Sequence, residues 1–224
     1  GVKTMAMVKA FSYGSGQAEI ARLLANQRVD YLAVAYADEG ADLRRQGIRL
    51  PIMVMNPEPE TFDQLKQYQL EPEIYSIEIL NAFIQSIGKE DASIHIKIDT
   101  GMHRLGFVEN DIPELLVLLK SHQHIRVASI FSHLAGADEN KHDNFSEHQI
   151  TLFNKIASSI QTTLGYQPLR HILNSSGISR MPHAQFDMVR LGIGLYGVDP
   201  SAVLQNTLLP VGTLQTNIAQ IHDV

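Results

Sequence analysis

The sequence predicts a (β/α)8 barrel, an α/β fold, and three observations carry the prediction. Apolar runs of strand length recur eight times, amphipathic runs of helical period separate them, and the uncommon polar residues gather at the C-terminal ends of the strand candidates. Regular alternation of strand and helix requires parallel strands with helices covering them. The alternative, an open doubly wound sheet, calls for fewer consecutive units and an evident nucleotide loop, and no such loop stands out.

The first strand candidate, TMAMVK (4–9), is an apolar run ending in Lys9. A turn with Tyr13, Gly14 and Gly16 follows, and then QAEIARLLANQ (17–27) at helical spacing. YLAVAY (31–36) and PIMVM (51–55) are short apolar strands on either side of the helical run ADEGADLRRQG (37–47). The proline-rich NPEPE is a loop, ETFDQLKQY (60–68) a helix, PEIYS (72–76) the fourth strand and IEILNAFIQSIG (77–88) its helix. In SIHIKID (93–99) two classes of side chain alternate: Ile94, Ile96 and Ile98 face the covering helices, and His95, Lys97 and Asp99 face the barrel interior. DIPELLVLLKS (111–121) is a helix and RVASIFS (126–132) a strand, and the stripe Ile150, Phe153, Ile156, Ile160 and Leu164 marks a longer helix. LRHILN (169–174) and DMVRLG (187–192) complete the eight strands.

A net charge of -6 and a pI near 5.9 leave no basic field for nucleic acid, so a small, anionic ligand held by local positive groups is expected. No apolar run is long enough to cross a bilayer, no signal pattern opens the chain, and cysteine is absent. These features favour a cytoplasmic protein with no membrane or nucleic-acid partner. Both ends look cut: GVKTMAMVK enters a strand at once, and GTLQTNIAQIHDV begins a strand-like alternation and stops.

In a barrel the chemistry sits at the C-terminal ends of the strands, where Lys9, Met55, Asp99 with Arg104, His133, Asn174 with Ser175, and Arg190 with Gly192 fall. Each has a bland alternative. An inward Lys97 is satisfied by an internal ion pair with Asp99 or another nearby acid. Arg104 in DTGMHRLGF is a solvated loop arginine, NSSG is a helix N-cap, and the glycines of RLGIGLYG (190–197) are tight turns. The last two segments are also phosphate-cradle candidates. His142 and His148 lie six apart, share no helical face and read as a solvated loop and helix start rather than metal ligands.

Together the segments KAFSYGSG, DTGMHRLGF, FSHLAGADE, LNSSG and RLGIGLYG, in this order, resemble the motifs of the alanine racemases, and the resemblance covers essentially the whole chain. It implies a fold-type III barrel that binds pyridoxal 5'-phosphate (PLP) over residues 1–204, with 205–224 a linker and the start of a C-terminal β domain. Lys9 is implied as the Schiff-base lysine and one base of a two-base L-/D-alanine interconversion that supplies peptidoglycan. Tyr13, Asn174, Ser175, Gly192 and Ile193 are implied at the phosphate end, Met55 and His133 beside the ring, Arg104 at its phenolic oxygen and Arg190 at its nitrogen. The resemblance further implies a carbamylated Lys97, a homodimer, and a second base, a tyrosine, from the β domain of the partner subunit. The isolated chain is then expected to bind cofactor weakly and to racemise poorly. Phe11, Ser12 and Ser15 depart from the usual K-A-N-A-Y-G-H-G run and resemble racemase halves fused to a cell-wall precursor ligase. The rivals are the PLP homeostasis proteins of the same barrel, which are not enzymes, and other fold-type III racemases or decarboxylases.

Overall fold

The computed structural model describes residues 1–213 and 215–222. Eight parallel strands carry the fold: β1 (Lys3–Met7), β2 (Tyr31–Val34), β3 (Ile52–Val54), β4 (Glu71–Ile74), β5 (Ala92–Lys97), β6 (Ile125–Phe131), β7 (Leu169–His171) and β8 (Met188–Leu191). They are ordered β7-β6-β5-β4-β3-β2-β1-β8. Between β7 and β8 the seam is closed by single backbone bonds, Arg190 N–H to Leu173 O at 3.1 Å and Asp187 N–H to Arg170 O at 3.1 Å. The expected barrel is therefore present and nearly closed.

The covering helices are α1 (Gln17–Asn26), α2 (Ala37–Arg45), α3 (Phe62–Gln67), α4 (Ile77–Ile87), α5 (Ile112–Ser121), α6 (Asp143–Leu164) and α7 (Ser175–Arg180). Alternation sorts the strand side chains into two cores. Ile94, Ile96, Ile98, Val34 and Ile74 join Leu80, Phe83, Leu115 and Phe153 in the shell between sheet and helices. Met5, Met7, Ala33, Met53, Phe131 and Met188 fill the inside of the barrel. No helix among the described residues is long and apolar enough to cross a membrane. His142 closes a 3-10 turn ahead of α6, and among the described residues no group of three or more metal-ligating side chains forms.

Three expectations are corrected. Strand β1 ends at Met7, so Lys9 lies beyond it and opens a turn in which Ala10, Phe11, Ser12 and Tyr13 all have positive φ. An L-residue in that region costs about 1–2 kcal/mol, so four in succession need external support. Glu39 on α2 supplies some of it: its carboxylate accepts the Ala10 N–H at 2.7 Å and the Ala35 N–H at 2.6 Å. Ser12 N–H donates to Val8 O at 3.1 Å, and Gly16 N–H donates to Phe11 O at 3.1 Å.

Second, Asp99 does not face the interior. Its Oδ1 accepts the N–H groups of Gly101 at 2.9 Å and His103 at 3.1 Å, turning the carboxylate into its own loop. Third, the alternation expected near the C-terminus forms no strand in 215–222, where the residues are exposed and no neighbouring strand offers a ladder. Leu214, Asp223 and Val224 lie outside the described residues.

Candidate active site

A cavity of about 230 Å³ opens at the C-terminal end of the barrel, and the residues singled out from the sequence converge on it. The positive-φ turn after β1 contributes Lys9 and Tyr13, and the end of β3 contributes Met55. The loop after β5 brings Arg104, and the loop after β6 brings His133. Asn174, Ser175 and Ser176 come from the start of α7, and Arg190, Gly192 and Ile193 from the end of β8. Lys97 lies off this cavity, lining a smaller one of about 140 Å³ beside it, together with Lys9, Met55 and Arg104.

At one end of the larger cavity lies a cluster of donors. Asn174 caps α7 by accepting the Gly177 N–H at 2.9 Å, which fixes Ser175 at the helix start. The Ser175 hydroxyl oxygen accepts the Gly192 N–H at 3.2 Å and the Gly194 N–H at 3.1 Å. Tyr13 packs on Tyr196 with ring centroids 5.1 Å apart, and its hydroxyl lies so close to Gly192 that a Cβ there would meet it at 2.7 Å. Burial, and then Tyr196, push the Tyr13 phenol up.

At the other end Arg190 is almost fully buried. Its Nη atoms donate to His171 Nδ1 at 2.9 Å, Ser132 O at 2.6 Å, Ile172 O at 3.2 Å and His133 Nδ1 at 3.1 Å. Nε makes none of these bonds, which leaves it as the donor available to the cavity. Burial pulls Arg190 down to about 10, so it is charged at neutral pH. His133 is pushed down to about 2, first by burial and then by the charges of Arg190, Lys97, Arg104 and Lys9, and is a neutral imidazole.

Behind Arg190 the hydrogen bonds run in one direction. Arginine can only donate, so His171 Nδ1 accepts and its Nε2–H donates to Ser129 Oγ at 2.8 Å. The Ser129 hydroxyl then donates to His95 Nδ1 at 2.6 Å, and His95 Nε2–H donates to Glu71 at 2.8 Å, near the opposite end of the barrel. Burial, Arg190, His95 and Lys97 together hold His171 well below the usual imidazole range, in keeping with its acceptor role. Phe131 stacks on His171 at 4.9 Å and lies under both the Arg190 and Lys97 cations, at 5.1 and 4.7 Å.

Sequence reasoning missed Glu73, Ser129, His171 and Gln149. The partner of Lys97 is Glu73 on β4, with Nζ and Oε1 3.4 Å apart, and not Asp99. Ser129 faces inward because β6 shifts register between Ile94 and His95 of β5, which skips Ala128 in the pairing. Gln149, from α6, holds the His133 loop: its Nε2 donates to His133 O at 3.0 Å and its Oε1 accepts the Ala135 N–H at 3.0 Å. A polar residue on the apolar stripe of α6, next to Ile150, was the available signal. On the Arg104 loop, Gly106 has φ +130°, and a Cβ would lie 2.5 Å from Asp99 N. That close approach lets Phe107 N–H bond Lys97 O at 2.9 Å and folds the loop back over the end of β5.

Comparison with known proteins gives one answer throughout. The family profile "Alanine racemase, N-terminal domain" matches residues 1–200. The alanine racemase of Clostridium novyi is 35% identical over 97% of this chain and 58% of its own length, and that of Syntrophobacter fumaroxidans is 35% identical over 100% and 60%. Among solved structures, alanine racemase of Clostridium difficile 630 superposes with TM-score 0.84 at 35% identity, covering 93% of this chain and 56% of the other. The Bacillus anthracis enzyme with bound L-Ala-P superposes with TM-score 0.83 at 28% identity, covering 94% and 55%. The chain thus spans somewhat under two thirds of the length of these relatives. With a matching profile over most of its length, a barrel in the same arrangement and the expected residues around one cavity, the chain belongs to the alanine racemase family as its N-terminal barrel domain.

Proposed function

We infer that the protein acts in the interconversion of L- and D-alanine, with residues 1–204 as the PLP-binding domain and 205–224 leading toward a second domain. The observation that carries this reading is the pairing of Lys9 with two opposed sets of groups in one cavity. The residues fit the cofactor: the Ser175 and Tyr13 hydroxyls lie at the Gly192 end of the cavity, and because Ser175 Oγ already accepts the Gly192 and Gly194 N–H groups its own O–H is left to donate, an arrangement suited to a phosphate. Ile193 adds a further N–H, and Asn174 acts by holding Ser175. At the far end Arg190 Nε and the neutral His133 suit the ring.

When bound, PLP supplies an electron sink that stabilises negative charge at the substrate Cα. The chain's own groups do the rest. Lys9 would hold the cofactor's aldehyde carbon until the substrate amine takes its place, and the amine so released would carry a proton to or from Cα on one face. Arg190 stays charged and cannot accept a proton, so it would disfavour protonation of the cofactor's ring nitrogen and would limit how far charge at Cα is dispersed. Arg104 would donate to the cofactor's anionic ring oxygen, and Met55 would exclude water from one side. Among the described residues the cavity offers no second base opposite Lys9. We assign that role to a tyrosine from the second domain of a partner subunit in a homodimer, so residues 1–224 by themselves turn over alanine poorly. Carbamylation of Lys97 belongs to the same reading: burial pushes its amine down toward the neutral form that reacts with CO2.

The test is spectroscopic. Addition of PLP produces the visible band of a lysine-bound cofactor in the wild type and not in Lys9→Ala. Absence of the band from both would refute the reading. Near-normal turnover by residues 1–224 in a D-amino-acid-oxidase-coupled assay would refute the assignment of the second base. Intact mass in bicarbonate decides Lys97, since a carbamate adds the mass of one CO2.

A further inference from the structure

Gln149 is a fully buried amide on α6, whose neighbours Ile150 and Phe153 pack into the shell between sheet and helices. A leucine or methionine would fill that space at no polar cost, whereas a buried amide is unfavourable unless its donors and its acceptor are met. In Gln149 each is met. Nε2 donates to His133 O at 3.0 Å and to Thr100 Oγ1 at 3.2 Å, and Oε1 accepts the Ala135 N–H at 3.0 Å. A flipped amide would set oxygen against the His133 carbonyl and NH2 against the Ala135 N–H, so one orientation alone is satisfied. Thr100, buried in the loop after β5, accepts from Gln149 and has its own proton left for Ser132 Oγ, 2.8 Å away. The amide thus grips residues 133 and 135 directly and residue 132 through Thr100. Asn174 holds the same loop from another side, donating to Leu134 O at 3.4 Å. Ser132 and His133 in turn supply adjacent acceptors to one nitrogen of Arg190: Nη2 meets Ser132 O at 2.6 Å and His133 Nδ1 at 3.1 Å.

We propose that Gln149 is a positioning residue for Arg190 and His133: from the helix layer it fixes the Ser132 carbonyl and the His133 imidazole where both accept Arg190 Nη2, and so sets the direction in which Arg190 Nε meets the larger cavity. Gln149 stands behind the loop and does not itself line that cavity. A guanidinium is a rigid planar fork, so moving the two acceptors of one nitrogen turns all of its donors together. The same contact fixes the imidazole. Arginine can only donate, so His133 Nδ1 must present its lone pair and carry its proton on Nε2. The consequence for racemisation rests on the function proposed above; the hold on Arg190 and His133 does not.

The experiment begins with the cofactor-free protein and NMR. Gln149→Met keeps the length of the side chain and removes the amide, and Thr100→Val keeps the shape and cuts only the branch to Ser132. In the wild type the Arg190 Nη2 hydrogens give separate signals, and the ring nitrogens of His133 show a proton on Nε2. In Gln149→Met the Nη2 signals are expected to merge as the C–N bond turns freely, and His133 to become a mixture of tautomers; Thr100→Val moves both in the same direction and by less. A packing role alone lowers the melting temperature and moves neither, so wild-type Arg190 and His133 signals in folded Gln149→Met overturn the proposal. Should that variant not fold, Thr100→Val decides, and unchanged signals there overturn it equally. Under the proposed function, Gln149→Met lowers kcat of the full-length, PLP-loaded enzyme by up to about 10²-fold while KM for alanine and the visible band are kept, and an unchanged kcat overturns the role in racemisation. Absence of the band from the wild type would sink the functional reading and leave the NMR result standing.

Discussion

Gly192 and Tyr13 offer a direct test of the donor cluster, because one substitution acts through the other residue. A Cβ on Gly192 would lie 2.7 Å from the Tyr13 hydroxyl and 3.5 Å from Met7 Cγ, so in Gly192→Ala the tyrosine must move while the methionine need not. The Tyr13 ring rests on Tyr196 at 5.1 Å and has to give up that packing to swing away. What the cofactor loses is one hydroxyl donor to an anion, worth about 1.5–3 kcal/mol. That corresponds to a Kd for PLP weaker by about 10- to 150-fold. Tyr13→Phe removes the same donor without the collision and is expected to weaken binding by a similar factor. The double variant then weakens binding about as much as either single variant, because the two changes delete one interaction. The assay is titration of the visible band with PLP, with thermal melting to show that each variant is folded. Full additivity, or wild-type affinity in Gly192→Ala alongside a weakened Tyr13→Phe, would refute the reasoning.

Three further outcomes are expected. Ser129→Ala leaves the buried His171 Nε2–H and His95 Nδ1 without partners and lowers stability by about 1–3 kcal/mol in urea unfolding; an unchanged midpoint would show that the one-directional chain behind Arg190 does not form. Gly106→Ala puts a side chain at φ +130° and 2.5 Å from a backbone nitrogen. It is expected to cost at least about 1–3 kcal/mol and to release the Arg104 loop to proteolysis, and full protection would contradict the geometry. For Asp199, burial raises the carboxyl, but bonds from Leu204 N–H, the Ser201 hydroxyl and N–H, and Ser179 outweigh it and hold the pKa below the usual range. A folded pKa below the unfolded one gives stability that is present above the unfolded value, near ~3.9, and is lost as pH falls through the folded value. Asp199→Asn therefore flattens part of the acid limb of the stability profile between about pH 5 and pH 2; an identical acid limb in both proteins would show that the anchor contributes nothing.

Much of the fold was legible because alternation is a strong local signal. In SIHIKID the isoleucines lie in the outer shell, and His95 and Lys97 point inward, as a period of two requires. The motif residues were legible as a set because they stand at strand ends, which a barrel brings to one rim. What escaped depends on neighbours distant in sequence. Glu73 is one of two inward acids in EPEI, and only the pairing of Glu73 with His95 on the adjacent strand puts it within reach of Lys97. Ser129 turns inward through a register shift that no period reveals. The positive-φ turn after Lys9 was hidden because its residues are not glycine; it is held by Glu39, on another helix, whose carboxylate ties the Ala10 N–H of the turn to the Ala35 N–H at the end of β2. Asp99 continued the alternation on paper, but its own loop offered closer donors.

The central claim is that Lys9, and not its neighbour Lys97, is the residue that binds the cofactor. Both amines line the smaller cavity, and only Lys9 also reaches the larger one. The most direct measurement is borohydride reduction of the PLP-loaded protein followed by peptide mapping. A label confined to the peptide that contains Lys9 is the predicted result; a label on Lys97, or on no lysine of the barrel mouth, would contradict it.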